Sequence, residues 1–505
     1  MSPAAAGRTE VSRDPRTGAC ADGPAVTAPE EVARLAAGAA RDAGRVAAVP
    51  PAVRAGWLDA VADALESDVE DLAALADAET ALGTERLRGE IGRAAAQARF
   101  YGAVAAEGGW LDLRVDRGDG PDLRRMNRPL GPVAVFGASN FPFAFGVAGH
   151  DTASALAAGC PVLAKAHPAH PRLSARLGAT MTAALRGAGA PEGAFALVTG
   201  FDAGLALVDA PEVAAVAFTG SQSGGTALVE RAARRPVPVP VFAEMGTVNP
   251  AVLTPAASAA EGGVRRAAAG FVASFTLGQG QFCTKPGLLL APRGSGAADA
   301  AAEALAGVAP GWLLTESIAA AYRRGLADLV AAGAHPVASV DAAARGFAAA
   351  PTVLAAPAGA LRPGSPLLAE CFGPVALVVE YDDPARLREL LGRLQPSLAA
   401  AIASAGPADP DLPWLVDLLS GQAGRVVVDG WPTGVATSWA QQHGGPWPAT
   451  SRPDATSVGA AALDRFTRPV AFQDVPQTAL PEPLRDTNPW RLPRRVGGLL
   501  EGAPA

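Results

Sequence analysis

Cys283 stands in the segment Gly278-Gln-Gly-Gln-Phe-Cys283-Thr-Lys285-Pro-Gly287. Three glycines and a proline around a thiol imply a tight loop. Exposed backbone N–H groups there lower a thiol's pKa and can hold an oxyanion. On its residues alone Cys283 reads equally as a nucleophile or as a small buried core thiol. Asn140 ends Val133-Ala-Val-Phe-Gly-Ala-Ser-Asn140-Phe-Pro142. A strand running into that turn sets an amide at the carboxyl edge of a sheet, where ligands bind in open α/β folds. The other reading is an Asn capping the next helix. Glu244, in Phe242-Ala-Glu244-Met-Gly246, sits at an apolar strand end. A carboxyl held there can acquire a raised pKa and act as general base toward water, or it can be an ordinary surface acid.

Other segments suit a dinucleotide. Phe218-Thr-Gly220-Ser221-Gln-Ser-Gly-Gly225 is a Gly-rich turn opening a helix, and helix N-terminal N–H groups suit a pyrophosphate, although the pattern is not GxGxxG. Glu370-Cys-Phe372-Gly-Pro374 precedes another strand and can orient a sugar hydroxyl. Only two lysines, Lys165 and Lys285, occur among 42 basic residues. Each is therefore a candidate for a task that a slim point charge performs better than a planar fork. His167 and His170 flank Pro168 without a cysteine or carboxylate cluster, so no metal site is expected.

The elements that must position these groups follow from composition and periodicity. A chain of 505 residues suggests about three lobes. With 49% hydrophobic and 18% charged residues it is a folded protein, and a net charge of -7 argues against nucleic-acid binding. No apolar run is long enough for a membrane span. Residues 1–23 lack an apolar signal-peptide core and are expected to be a mobile tail. The four cysteines show no CxxC and read as free thiols, so a cytoplasmic location is expected. Residues 28–107 have helical spacing, and Trp110–Asp116 with Asp122–Asn127 alternates like a hairpin. From Pro129 short apolar strands alternate with helices, which implies parallel sheets covered on both faces. Expected strands are 133–136, 161–164, 194–199 and 213–219, then 250–253, 288–291, 375–381, 399–402 and 425–428. The proline-spaced run Val237–Phe242 is expected to be an edge strand or an irregular extended segment.

Taken in order, these motifs resemble the aldehyde dehydrogenase superfamily over nearly the whole chain after the tail. The resemblance implies two doubly wound α/β domains plus an oligomerisation β-hairpin. Residues 24–109 and 129–245 would form the dinucleotide-binding domain and 246–440 the catalytic domain. Residues 110–128 and 460–490 would serve assembly into a homodimer or homotetramer. It further implies that Cys283 is the nucleophile, Asn140 the oxyanion donor and Glu244 the base for deacylation of a cysteine thioester. Lys165, Glu370 and Phe372 would hold the cofactor, with Gly220, Ser221 and Gly225 beside its pyrophosphate.

Three stretches are most similar to the α-ketoglutaric semialdehyde (2,5-dioxopentanoate) dehydrogenases: Ala138–Phe145, Ala164–Pro171, and Trp431–Gly434 with His443–Pro446. NADP-dependent fatty aldehyde dehydrogenases share much of this pattern. Where NAD-preferring relatives carry a Glu three positions after the lysine, this chain has Pro168. That favours NADP, with NAD still possible because Gly200-Phe-Asp-Ala-Gly204 offers no Arg to a 2'-phosphate. Lys285 replaces a small residue common two places after the nucleophile. With this many arginines, a cation for a carboxylated substrate cannot be picked out, while Phe141, Phe143, Phe145 and Phe282 could line an apolar tunnel. Two other classes, an inactive cofactor-binding homologue and a thiol acyltransferase, would lack the catalytic trio or the dinucleotide respectively.

Overall fold

The computed structural model describes residues 7–118 and 120–501. Its short apolar runs assemble into two largely parallel sheets. The first has five strands in the order Phe195–Val198, Val162–Lys165, Val133–Phe136, Ala215–Gly220 and Val241–Met245, each pair parallel. Alternate residues of Val133–Phe136 face opposite layers. Val133 and Val135 join a core with helices Pro51–Ser67, Thr84–Glu107 and Pro171–Gly187. Ala134 joins another with Pro29–Ala48, Phe201–Asp209 and Gln222–Ala233. Burial on both faces explains why these strands read as continuous apolar runs.

The second sheet has seven strands in the order His335–Ser339, Thr352–Ala356, Val375–Tyr381, Leu288–Pro292, Pro250–Leu253, Ala400–Ala403 and Val426–Val428. Only His335–Ser339 runs antiparallel. Helices cover both its faces as well. The doubly wound α/β expectation holds, and the expected strands recur with ends shifted by a residue or two. His335–Ser339 and Thr352–Ala356 were not expected. Of the proline-spaced run, only Val241 and Phe242 enter the edge strand.

A third sheet orders Thr467–Gln473, Leu123–Pro129, Leu113–Asp116, Arg494–Val496 and Leu499–Leu500. It contains the expected hairpin, paired antiparallel. Residues 1–6 of the expected tail lie outside the described residues, but the rest of that expectation is corrected. Thr9–Arg13 pairs antiparallel with Cys20–Ala25. Neither strand alternates apolar and polar residues, so the pattern was illegible. Polar anchors hold the hairpin instead: Ser12 donates to Glu79 (2.6 Å) and Arg16 forks onto Asp77 (2.8 and 3.0 Å). At its tip Pro15 O accepts from Phe347 N (2.8 Å), tying it to the second α/β unit.

Candidate active site

Three groups singled out in the sequence, Asn140, Glu244 and Cys283, line one cavity of about 930 Å³. The carboxyl ends of four strands of the first sheet (at Phe136, Lys165, Thr219–Gly220 and Glu244) line it, together with Cys283 and Glu370–Phe372.

Glu244 is buried on the edge strand. The free edge of that strand is covered by the segment that follows the second sheet. Met245 N donates to Ala449 O (2.8 Å), and Ala243 N to Ser451 Oγ (2.8 Å). The same crossing carries His443 and Ser457 to the carboxylate. His443 Nε2 lies 2.9 Å from Glu244 Oε1 and 3.6 Å from Cys283 Sγ, and Ser457 Oγ donates to Glu244 Oε2. Thiol, imidazole and carboxylate ligand atoms all lie within 4.8 Å of one another. Sequence reasoning gave His443 no chemical role. Its signal was a histidine, one of only five, inside a Gly/Pro-rich segment.

The nucleophile turn is held on three sides. Gly280 has φ +66°, and a Cβ there would lie 2.2 Å from Gly373 O, so glycine lets the turn press against the Glu370–Pro374 loop. Asn249 Nδ2 donates to Cys283 O (2.8 Å) and Lys285 O (3.1 Å), while its Oδ1 accepts from Ala399 N (3.1 Å). Lys285, only 2% exposed, donates through Nζ to Cys371 O (2.8 Å) and Val375 O (2.9 Å). A slim ammonium bonding two converging carbonyls is the geometry that a guanidinium fork cannot copy in the same space. Asn140 Nδ2 donates one N–H to Gln281 O (2.8 Å), which leaves the second N–H of the amide for a ligand.

Two electrostatic expectations are reversed. Burial, then the charge of Glu244 and the hydrogen bond to it, pushes the Cys283 thiol well above its ordinary value, so the resting group is neutral rather than a poised thiolate. Burial also pushes Glu244 up, but the charge of His443 and hydrogen bonds from His443, Ser457 and Cys283 outweigh it. The carboxyl therefore lies below the usual value, not above it. The site thus pairs a protonated thiol with an adjacent ionised acceptor, which is how a weak nucleophile is activated during attack.

Lys165, Gly220, Ser221, Glu370 and Phe372 line the same cavity. Ser221 caps helix Gln222–Ala233, its Oγ accepting from Gly224 N (3.2 Å). Gly224 rather than Gly225 faces the cavity. A Cβ on Gly225 would lie 2.5 Å from Met245 Sδ, so this glycine serves close packing of helix on strand. Burial raises Glu370 to about 7, opposed by the charge of Lys285, and its Oε1 is buried without a partner. Burial lowers Lys165, opposed by Glu10 of the N-terminal hairpin. His167 and Pro168 line the wall beside it.

Known proteins place this arrangement. The model of the aldehyde dehydrogenase family matches residues 3–445. The chain is 44% identical to α-ketoglutaric semialdehyde dehydrogenase 2 of Azospirillum brasilense, over 97% of this chain and 95% of that protein. It is 40% identical to the α-ketoglutaric semialdehyde dehydrogenase of Acinetobacter baylyi, over 88% and 87% respectively. Among solved structures, an NAD-dependent aldehyde dehydrogenase from Sinorhizobium meliloti matches with TM-score 0.80 and 24% identity, over 94% of this chain and 92% of that one. A 3,6-anhydro-L-galactose dehydrogenase in complex with NAP gives 0.80 at 21%, over 93% and 97%. Those two structural likenesses speak for the fold, and the family match and the near full-length identity carry the assignment: the chain belongs to the aldehyde dehydrogenase family.

Proposed function

We propose that this enzyme oxidises 2,5-dioxopentanoate to 2-oxoglutarate with NADP, through a thioester on Cys283. The observation that carries this reading is the convergence of thiol, imidazole and carboxylate within 4.8 Å, with the thiol and carboxylate in a cavity that Asn140 also lines. Cys283 Sγ attacks the aldehyde carbon as its proton passes to the Glu244–His443 pair. The oxyanion is held by the free N–H of Asn140 and the backbone N–H of Cys283. Once the adduct has given up its hydride to leave the thioester and the pair has released the thiol's proton to solvent, Glu244 takes the proton of a water that attacks the thioester, freeing the acid and returning a proton to the sulfur. Glu244 is what separates this hydrolytic outcome from transfer of the acyl group to another thiol.

The cavity residues fit a nicotinamide dinucleotide. The capped N-terminus of helix Gln222–Ala233 suits its phosphates, and Lys165 and the unpartnered Glu370 oxygen suit ribose hydroxyls. When bound, that cofactor supplies the hydride acceptor. Pro168 in the cavity wall leaves no carboxylate at that position to repel a 2'-phosphate, and Lys165 lines the same cavity; Arg231 and Arg234 line it too, paired with Asp209 and Glu230. Names of two relatives, 44% and 40% identical, support the substrate. The test compares kcat/KM for 2,5-dioxopentanoate and a medium-chain alkanal, with NADP and with NAD. The keto acid with NADP should be the preferred pair. Preference for the alkanal would move the enzyme to the fatty-aldehyde type, and preference for NAD would overturn the cofactor assignment.

The third sheet supports a homodimer or homotetramer. Among the described residues nothing pairs with the outer edge of its terminal strand Leu499–Leu500, and Leu499 is 76% exposed, a surface that isolated proteins usually cover. Light scattering should give at least twice the mass of one chain, and a monomer at working concentration would refute assembly. Among the described residues no helix is long and apolar enough to cross a membrane.

A further inference from the structure

We infer that Arg86, Arg93 and Arg425 form a receptor for an anionic carboxylate at the far end of the aldehyde substrate. This deepens the substrate reading above and rests on it. Arg86 and Arg93 are seven residues apart on helix Thr84–Glu107 and so share one face. That face meets the aromatic wall beside the catalytic groups. The Arg86 guanidinium lies 5.2 Å from the ring centres of both Phe141 and Phe282, and Arg93 lies 5.5 Å from Phe141 and 5.8 Å from Phe145. Phe282 directly precedes Cys283, and Phe141 directly follows Asn140. The three rings pack as one cluster with Val435. Arg425 donates to the carbonyls of Pro432 and Gly434, the latter directly before Val435. Arg93 Nη2 donates to Val435 O and Arg425 Nη2 to Gly434 O, so the two cations meet on consecutive residues of one segment.

The charge count there is unbalanced. Arg86 Nη2 donates to Asn140 O (2.8 Å), and Arg93 Nη2 to Val435 O (2.8 Å), so these bonds end on neutral carbonyls. Arg86 Nη1 and Arg425 Nε are buried with no partner. An acid, Glu90, lies between Arg86 and Arg93 on the same helix; its Oε1 accepts from Phe143 N (2.9 Å) and Ala144 N (3.1 Å), and its Oε2 is buried with no partner. Arg86 and Arg93 thus share one carboxylate beside an aromatic wall, while Arg425 bonds backbone carbonyls. Buried polar donors without partners are costly, and a planar carboxylate is the ligand that a guanidinium fork fits best. An unbranched alkanal would leave the same donors unpaired. The array therefore selects for a short aldehyde that carries its own carboxylate. Arg86 also links the two ends of such a substrate, since its other nitrogen holds the backbone carbonyl of the oxyanion residue Asn140.

The test uses the full-length enzyme and two aldehydes of equal chain length, 2,5-dioxopentanoate and pentanal. Arg93→Gln should lower kcat/KM for the keto acid roughly 10- to 100-fold, mainly through KM, and leave pentanal within about twofold. Arg93→Lys keeps the charge and should recover part of the loss. A readout without turnover is protection of Cys283 from iodoacetamide by 2-oxoglutarate, which should weaken in Arg93→Gln and in Arg425→Gln. Equal losses for both aldehydes would make the arginines structural and overturn the receptor. A wild-type preference for the keto acid that survives Arg93→Gln and Arg425→Gln unchanged would overturn the receptor alone. A wild-type preference for pentanal would overturn the substrate reading, and the receptor with it.

Discussion

Replacing Cys283 by alanine should lower dehydrogenase turnover by about four orders of magnitude or more, the scale seen when a covalent nucleophile is removed. The expectation rests on position, because the other cysteines cannot substitute. Cys160 is buried against Phe466 O, and burial raises its thiol to about 11. Cys20 is exposed on the N-terminal hairpin. Cys371 lines the cavity but faces Tyr322 O, and burial raises it too. Only Cys283 has both an ionised acceptor and an imidazole at its sulfur. The fold should tolerate the change, since the turn is held by Asn249, Lys285 and Gly280 rather than by the thiol. Cofactor titration by nucleotide fluorescence should therefore be unchanged in the variant while steady-state rate is lost. A full rate in the alanine variant would refute the nucleophile.

The parallel sheets were legible because both faces of each strand are buried, and a continuous apolar run between helical stretches has few other readings. Pro250–Leu253 and Val375–Tyr381 appear with the expected bounds. The N-terminal hairpin was not legible, because Ser12 and Arg16 anchor it to Glu79 and Asp77 without any apolar alternation. At the site, Cys283, Asn140 and Glu244 carried local signals: glycines around a thiol, an amide after a strand, an acid at an apolar strand end. His443 carried little, since its meaning depends on a crossing that brings residues 443–457 back over the edge of the first sheet. Lys285 was legible as an anomaly of composition, but the two carbonyls that explain it, of Cys371 and Val375, lie 86 and 90 residues away in the chain. The electrostatics were the least legible part. A Gly-rich turn predicts a lowered thiol pKa, yet burial and the neighbouring carboxylate reverse the sign.

That neighbouring carboxylate makes the second large effect distinctive, because Glu244→Gln should move two measurements in opposite directions. Glutamine keeps the shape and can still accept from Ser457, so the pocket should persist. The thiol's proton can still pass to His443, 3.6 Å from the sulfur, so the thioester should form once; but glutamine cannot take a proton from water, so hydrolysis should be roughly 100- to 10,000-fold slower. Rapid mixing should show one equivalent of reduced nicotinamide per active site, then a stall. The thiol should behave in the contrary sense. The negative charge of Glu244 helps hold Cys283 above its ordinary pKa. Removing that charge stabilises the thiolate, so the pH profile of alkylation by iodoacetamide should shift to lower pH, with faster labelling at a fixed pH below the wild-type midpoint. A general loosening of the site would speed labelling but would also erase the burst. If His443 alone served as the base for water, continuous turnover would survive in Glu244→Gln, and that result would remove the carboxylate from deacylation.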